Sequence, residues 1–144
     1  MTSNPQTVMG FDFGTKKIGI AIGQSITQTV TPLVTLPSLN QKPDWVAIED
    51  LIKEWLPTIL VVGLPVHLGG EEQAMTQAAK KFGHRLNGRF NLPVEFMDER
   101  LSSYEAEERL REINRNKKQT NKRQTALDID KIAAQLIVES WFRQ

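Results

Sequence analysis

Apolar and polar positions divide the chain into five short apolar runs and four segments with helical spacing. The apolar runs have the length of strands and include many β-branched residues; they cover residues 8–13, 18–23, 29–36, 58–63 and 93–97. Apolar residues at helical spacing predict helices over residues 45–55, 71–87, 102–113 and 126–142. The order β-β-β-α-β-α-β-α-α predicts an α/β fold whose mixed five-stranded sheet, three antiparallel strands followed by two parallel ones, is flanked by helices.

Individual residues predict where some of these elements end. Pro32 favours an edge or a bulge for the third strand, because proline cannot donate a ladder hydrogen bond. Gly88 is expected to stop the second helix, and the capping-box spacing of Thr125–Asp128 is expected to start the last one. We expect a single domain over residues 1–144, with a flexible N-terminus at 1–6 and a mobile basic loop at 114–124.

Composition excludes several classes of protein. The 144 residues are 40% hydrophobic and 24% charged, which is ordinary for a globular protein. No apolar run reaches the ~18 residues that a membrane span needs, and residues 1–7 lack the features of a signal peptide. The absence of cysteine excludes disulfides, thiolate metal sites and a cysteine nucleophile. We therefore expect a cytoplasmic protein without a membrane partner.

Charge is distributed unevenly, although the net charge is only +1. Residues 109–123 hold seven basic residues and one acid, so this segment carries +6 and the rest of the chain −5. Such a segment is a candidate phosphate-contacting element, and its alternative is a loop that lysines keep solvated. The basic residues are Arg109, Arg111, Arg115, Lys117, Lys118, Lys122 and Arg123.

Asp12 is the first candidate for chemistry, because it interrupts an apolar strand between Phe11 and Phe13. A carboxylate in that setting costs several kcal/mol unless another group compensates it. Gly14 follows and allows the backbone to turn sharply or to lie close to a ligand. The residues alone leave two interpretations open: a functional acid, or a turn aspartate that hydrogen-bonds its own backbone.

Further acids lie where the predicted fold would bring them near Asp12. Asp98 and Glu99 end the last strand, at the sheet edge where α/β proteins usually bind ligands, and the pleat allows only one of them to face Asp12. On the last helix, Asp128 has a predicted capping role, whereas Asp130 has no local explanation. We therefore choose Asp130 as the helical member of the set.

Three such carboxylates, without cysteine or a histidine cluster, favour a hard cation, Mg²⁺ or Mn²⁺. Two ions ~4 Å apart could hold the attacking and leaving oxygens of a phosphodiester during an in-line displacement. The pattern therefore predicts a divalent-metal site suited to phosphodiester chemistry, but the spacing alone does not name the reaction.

Five separate motifs resemble the YqgF (RuvX-like) family of small bacterial proteins. They are Gly10–Ala21, Val62–Pro65, Gly70–Gln73, Asp98–Ser103 and Asp130–Ala134, and together they span nearly the whole chain. The resemblance implies a ribonuclease H-like fold related to Holliday-junction resolvases, and a nuclease that processes the 5′ end of pre-16S ribosomal RNA. It also implies that Asp12, Glu99 and Asp130 are the metal-binding catalytic acids. Two departures are Ser103, where the family often has threonine, and Lys131, which puts a cation beside Asp130.

Several cations are predicted to contact phosphates. Lys16 lies in the predicted hairpin turn and Arg100 at the end of the last strand; each has a plainer alternative, a solvated lysine and an arginine paired with an acid. The basic loop supplies the remaining predicted contacts, which are Arg115, Lys117, Lys118, Lys122 and Arg123.

Three functions compete at this point. The first is a nuclease acting on structured RNA, with branched DNA as the alternative substrate. The second is an ATP-binding protein, because Asp12–Thr15 also resembles the phosphate loop of actin-like ATPases, which need two such domains. The third is a nucleic-acid-binding module that does not cleave. Only catalysis requires the full set of acids, which favours the nuclease, expected to be a monomer or a weak homodimer.

Overall fold

A computed structural model describes residues 5–40, 42–64, 70–98 and 122–144. This part of the chain contains a five-stranded sheet in the order β3-β2-β1-β4-β5. The first three strands pair antiparallel, and β4 and β5 extend the sheet in parallel from β1, so the predicted mixed sheet is confirmed. The strands are β1 (Thr7–Phe13), β2 (Lys17–Gln24), β3 (Thr29–Pro37), β4 (Ile59–Leu64) and β5 (Val94–Asp98).

Helices cover both faces of the sheet. They are α1 (Trp45–Trp55), α2 (Gly70–Phe90) and α3 (Lys122–Phe142) in the described part of the chain. The Asp44 side chain caps α1 by accepting a hydrogen bond from the Ala47 amide at 3.1 Å. None of the described helices is long and apolar enough to cross a membrane.

Two predicted helix boundaries are wrong. The second helix passes Gly88 and ends at Phe90, because Asn91 adopts the left-handed conformation (φ 55°) and its amide donates to the Asn87 carbonyl at 2.9 Å. The last helix begins at Lys122, so the predicted cap at 125–128 falls inside it. The predicted helix at 102–113, the loop at 114–121 and residues 1–4 lie outside the described residues.

The third strand bears out the interpretation of Pro32. β3 is an edge strand, and its register against β2 shifts between Ile20 and Ala21, which oppose Val34 and Pro32. Leu33, between Pro32 and Val34, is therefore an extra residue on β3 and makes a bulge. Proline favours a bulge because it has no amide proton for the ladder.

Strand alternation separates two apolar cores. Met9 and Phe11 of β1 join one cluster with Ile48 of α1 and with Phe82 and Leu86 of α2. The residues at the alternate strand positions point to the other face, toward α3. There, Val8, Ile59 and Val61 pack with Ile137 and Val138. Because neighbouring side chains of a strand point to opposite faces, Gly10 and Asp12 lie on the α3 face with Val8.

Glycines allow α3 to lie unusually close to the sheet. A Cβ on Gly19 would stand 2.5 Å from the Asp130 carbonyl carbon, and a Cβ on Gly23 would stand 2.6 Å from Cγ1 of Val138. Both distances are shorter than real Cβ contacts, so the absence of side chains at these positions is what permits the approach. The close packing of α3 fixes the position of Asp130 relative to β1 and β2.

Candidate active site

Asp12 lies near the C-terminal end of β1, on the sheet face that α3 covers. Its residue is partly buried, and its partner in the antiparallel ladder is Gly19 of β2. The Cα atoms of two such partners are only ~4.5–5.5 Å apart. A group that sits directly on Gly19 is therefore a close neighbour of Asp12.

Asp130 is that group. Its main-chain carbonyl packs on Gly19, closer to the position that a Cβ would occupy there than any side chain would tolerate, so the helix backbone touches the strand. Asp12 and Asp130, two of the three acids predicted for catalysis, therefore border the same patch of the α3 face. Small residues on β2 make this possible, since a larger side chain at position 19 would separate the helix from the strand.

Lys17 reaches the Asp130 carboxylate from the start of β2. Its Nζ atom lies 2.9 Å from Oδ2 of Asp130, and the two side chains are 36% and 21% exposed. Oδ2 is itself buried and has no hydrogen-bond partner of acceptable geometry among the described atoms, so the contact with Lys17 balances charge without a well-directed hydrogen bond. Asp130 thus has a buried oxygen that a further ligand can use.

Sequence reasoning missed Lys17 and selected its neighbour, Lys16. Lys16 is exposed in the β1–β2 turn, where its carbonyl accepts a hydrogen bond from the Ser38 amide at 2.8 Å. Lys17 shares strand parity with Gly19, which is the signal that could have placed it on the face of Asp12.

Asp98 faces away from this patch. It is exposed at the end of β5, with the parity of Val94 and Phe96, which pack into the core on the α1–α2 face. The residues of the other parity face α3: Met97 joins the α3-side core, and Oε1 of Glu95 accepts a hydrogen bond from Nε1 of Trp141 at 3.1 Å. The alternation of β5 therefore places Asp98 on the face opposite Asp12.

The other predicted site residues are not described. Glu99, Arg100, Arg115, Lys117 and Lys118 lie outside the described residues. The backbone of Lys122 and Arg123 forms the first turn of α3, where the sequence predicted a loop.

The donor set of the patch suits a hard divalent cation. Within the described ranges no group of three or more histidine or acidic side chains is positioned to hold a metal. Asp12 and Asp130 nevertheless supply oxygen ligands, the type that Mg²⁺ and Mn²⁺ prefer, and Oδ2 of Asp130 lacks a hydrogen bond. These residues fit a metal site that takes a further ligand from elsewhere in the chain.

Solved structures share this fold. RuvC of T. thermophilus in complex with a Holliday junction substrate aligns with a TM-score of 0.56 at 14% identity, over 95% of this chain and 93% of that one. The yeast mitochondrial Holliday junction resolvase aligns with a TM-score of 0.56 at 11% identity, over 94% and 77%. The fowlpox virus resolvase gives 0.54 at 12% identity, over 95% and 97%. The chain therefore has the ribonuclease H-like fold of the RuvC-type resolvases.

Sequence comparison identifies the family. The family model RuvX, described as Holliday junction resolvase, matches residues 6–144, and the chain belongs to this family. Proteins named "Putative pre-16S rRNA nuclease" are 51% identical in Hydrogenovibrio crunogenus, over 93% of this chain and 91% of that protein, and 49% identical in Saccharophagus degradans, over 100% and 96%. The family and these relatives identify the class of enzyme as a hydrolase acting on phosphodiester bonds.

Proposed function

We propose that this chain is a metal-dependent nuclease that processes the 5′ end of pre-16S ribosomal RNA. The observation that carries the proposal is the convergence of Asp12 and Asp130 on Gly19, with a buried carboxylate oxygen that lacks a hydrogen bond. The substrate is suggested by the name of relatives about 50% identical over most of the chain. Processing of this RNA would take place in the cytoplasm.

Asp12, Asp130 and Glu99 would hold the metal, Mg²⁺ or Mn²⁺. Glu95 and Met97 are the two β5 residues that face α3, and Glu99 follows them at the same spacing of two residues in the sequence. This spacing supports Glu99 over Asp98 as the third acid. When bound, the cation would polarise a phosphoryl oxygen and lower the pKa of a bound water that attacks phosphorus.

Lys17 has a separate role in this proposal. Its ammonium group balances the charge of Asp130 and so reduces the repulsion between two neighbouring carboxylates when no cation is present. With Asp130 engaged in the metal site, the flexible side chain of Lys17 would be available to contact a phosphate oxygen of the substrate.

Cations around the site would bind the substrate backbone. Phosphate contacts orient a nucleic acid without reading its sequence, which suits an enzyme that recognises structured RNA. We propose this role for the predicted set: Lys16, Arg100, Arg115, Lys117, Lys118, Lys122 and Arg123. A monomer or a weak homodimer would perform the reaction.

A second candidate function is the resolution of branched DNA. The description of the family and the fold shared with RuvC both favour it. Three relatives that are 46–51% identical carry the name of an RNA nuclease, which is why we prefer RNA as the substrate.

The decisive experiment compares two acid-to-amide variants at the same end of the sheet. Purified protein is incubated with a pre-16S RNA leader fragment and with a four-way DNA junction, in Mn²⁺ or in chelator. Asp12→Asn should lower cleavage at least ~100-fold, because it removes a ligand charge, whereas Asp98→Asn, on the opposite face, should cleave like the natural protein.

Two results would contradict the proposal. Undiminished cleavage by Asp12→Asn, or cleavage that persists in chelator, would exclude the metal-acid mechanism. Cleavage of the junction without cleavage of the RNA would favour resolution of branched DNA, and binding of both without cleavage would favour a non-cleaving module.

A further inference from the structure

A basic strip lies on the α1–α2 face of the sheet, opposite the face that holds Asp12. Two adjoining clefts of about 220 and 610 Å³ share Pro43 and Arg85 in their walls. Four cations line them, and no carboxylate of the described residues does. We define the basic strip by these four exposed cations: Lys42, Lys81, Arg85 and Arg89.

We propose that the basic strip binds the sugar–phosphate backbone of the substrate strand outside the cleavage site. The proposal rests on the nuclease function and adds a binding surface on the other side of the sheet. It takes a nucleic-acid strand as its occupant because the strip is uniformly cationic and carries exposed guanidinium groups, which match phosphate geometry.

The spacing of the cations along α2 fits a linear polyanion. Lys81, Arg85 and Arg89 are four residues apart, so they follow one stripe of the helix at intervals of ~6 Å along its axis. The sequence from 73 to 90 contains no acid, so these cations have no acid on their own helix in this stretch. Glu49 of α1, which borders a neighbouring cleft with Arg89, is paired with Lys53 at 3.5 Å.

Arg89 is held in place by aromatic rings. Its guanidinium carbon lies 4.3 Å from the centre of the Trp45 ring, and Trp45 stacks on Phe82 with 5.6 Å between the ring centres. Such stacking restricts the side chain without using its hydrogen-bond donors, so Arg89 loses less conformational entropy when it binds a phosphate.

Gly88 supplies an independent observation. It lies inside α2, where glycine is destabilising relative to alanine, and an added Cβ would meet no atom within 4 Å. Packing therefore does not require glycine at this position. Gly88 lines the larger cleft, and the missing side chain leaves the helix backbone open to close approach by a ligand strand.

One end of the basic strip lies near the end of β1 that carries Asp12. The smaller cleft is also lined by Phe13 and Thr15, at the end of β1 and in the turn that follows. Phe13 is the chain neighbour of Asp12 and points to the opposite face. A strand bound along α2 would therefore arrive at the sheet edge one residue from the catalytic acid, which lets the strip hold nucleotides that flank the cleaved bond.

The test measures RNA binding in chelator, where cleavage does not interfere. A strip variant (Lys81→Gln, Arg85→Gln, Arg89→Gln) is compared with a control variant that removes three exposed cations elsewhere (Lys53→Gln, Lys80→Gln, Arg143→Gln). Fluorescence anisotropy with a labelled pre-16S leader RNA, repeated over a salt series, gives the affinity and its salt slope. The same series with a single-stranded DNA of equal length compares RNA with DNA.

The strip variant should bind the RNA at least ~10-fold more weakly at moderate salt, and its salt slope should fall by about 2, since each phosphate contact contributes about 0.7 for a single strand. The control variant should change the affinity less than about threefold. Gly88→Ala should weaken binding as well, although its thermal unfolding temperature should not fall.

Three outcomes separate the possible failures. Equal affinities and slopes for the strip and control variants, with the natural protein binding RNA, would overturn the strip and leave the nuclease proposal intact. A strip variant that changes the self-association of the chain in sedimentation equilibrium, without changing RNA affinity, would make the surface an interface between copies and overturn the proposal. Failure of the natural protein to bind either RNA or DNA would overturn the proposed function together with the strip.

Discussion

Gly19 is the position where one added methyl group tests both the packing of α3 and the geometry of the site. In Gly19→Ala the new Cβ would stand 2.5 Å from the carbonyl carbon of Asp130 and 3.0 Å from the amide nitrogen of Lys131. Both atoms belong to the helix backbone, so no side-chain rotation can relieve the clash. The helix must move away from β2 instead.

The size of the movement follows from these distances. An ordinary contact at this position begins at 3.4 Å, so the gap to the Asp130 carbonyl carbon must open by at least about 0.9 Å, because the carbonyl oxygen lies closer still. Overpacking of this kind costs about 1–3 kcal/mol, and we expect the upper part of that range because the displaced group is a helix. For a protein of this size, ~3 kcal/mol corresponds to a fall in Tm of roughly 6–12 °C.

The displacement should also affect catalysis. Since Asp130 moves with α3 and Asp12 stays on β1, we expect the carboxylate of Asp130 to shift by about 1 Å relative to the sheet. A misplacement of this size can lower the rate ~100-fold. Cleavage of the leader RNA by folded Gly19→Ala, measured well below its Tm, should therefore fall much more than its folded fraction does.

A graded series of glycine substitutions provides the controls. The nearest atoms to a Cβ at Gly23 belong to the side chains of Val138 and Phe142, which can shift, so Gly23→Ala should destabilise less than Gly19→Ala. Gly88→Ala meets no atom within 4 Å and should raise the free energy of unfolding by about 0.5–1 kcal/mol. Urea unfolding measures all three, and a Gly19→Ala protein as stable as the natural one would refute the close approach of α3 to β2.

The remaining predictions concern charge and capping. Lys17→Met should tighten Mn²⁺ binding in a calorimetric titration, because the ammonium group 2.9 Å from Oδ2 of Asp130 competes with the cation; weaker binding would show instead that Lys17 supports the site. Asp44→Ala should lower the free energy of unfolding by about 1 kcal/mol through loss of the hydrogen bond from the Ala47 amide, whereas Asp44→Asn should retain most of it, and equal losses would exclude the cap. Neutralising four cations of the basic segment should weaken RNA binding and lower its salt slope by about 3, and an unchanged slope would leave that segment a role in solubility alone. These four are Lys117, Lys118, Lys122 and Arg123.

Local patterns were sufficient for the strands and for selecting Asp12 as a candidate site residue. Each apolar run of the sequence matches a strand of the sheet to within one residue at either end. In the central strands β1, β2 and β4 this is because burial on both faces selects continuous apolar residues. Asp12 stood out because a carboxylate in such a run needs compensation, and the pleat predicted that only one of Asp98 and Glu99 would face it.

Helix ends were less predictable from local signals. Gly88 looked like the end of the second helix, yet the residue that adopts positive φ is Asn91, three positions later. Helical packing of Leu86 and Phe90 on the sheet outweighs the preference of one glycine, because tertiary burial contributes more than the ~1 kcal/mol of helix propensity at stake.

The sequence by itself determined which segments form strands, which residues could bind a hard cation and where positive charge accumulates, since these depend on residue type and on neighbours along the chain. Only the tertiary structure decided that Lys17 would contact Asp130, that Gly19 would admit the backbone of α3 beside Asp12, and that Arg89 would stack on Trp45 in a basic strip. Each of these contacts joins distant parts of the chain. Each requires atoms to be positioned to within about 1 Å, and such positions arise only when the helices pack against the sheet.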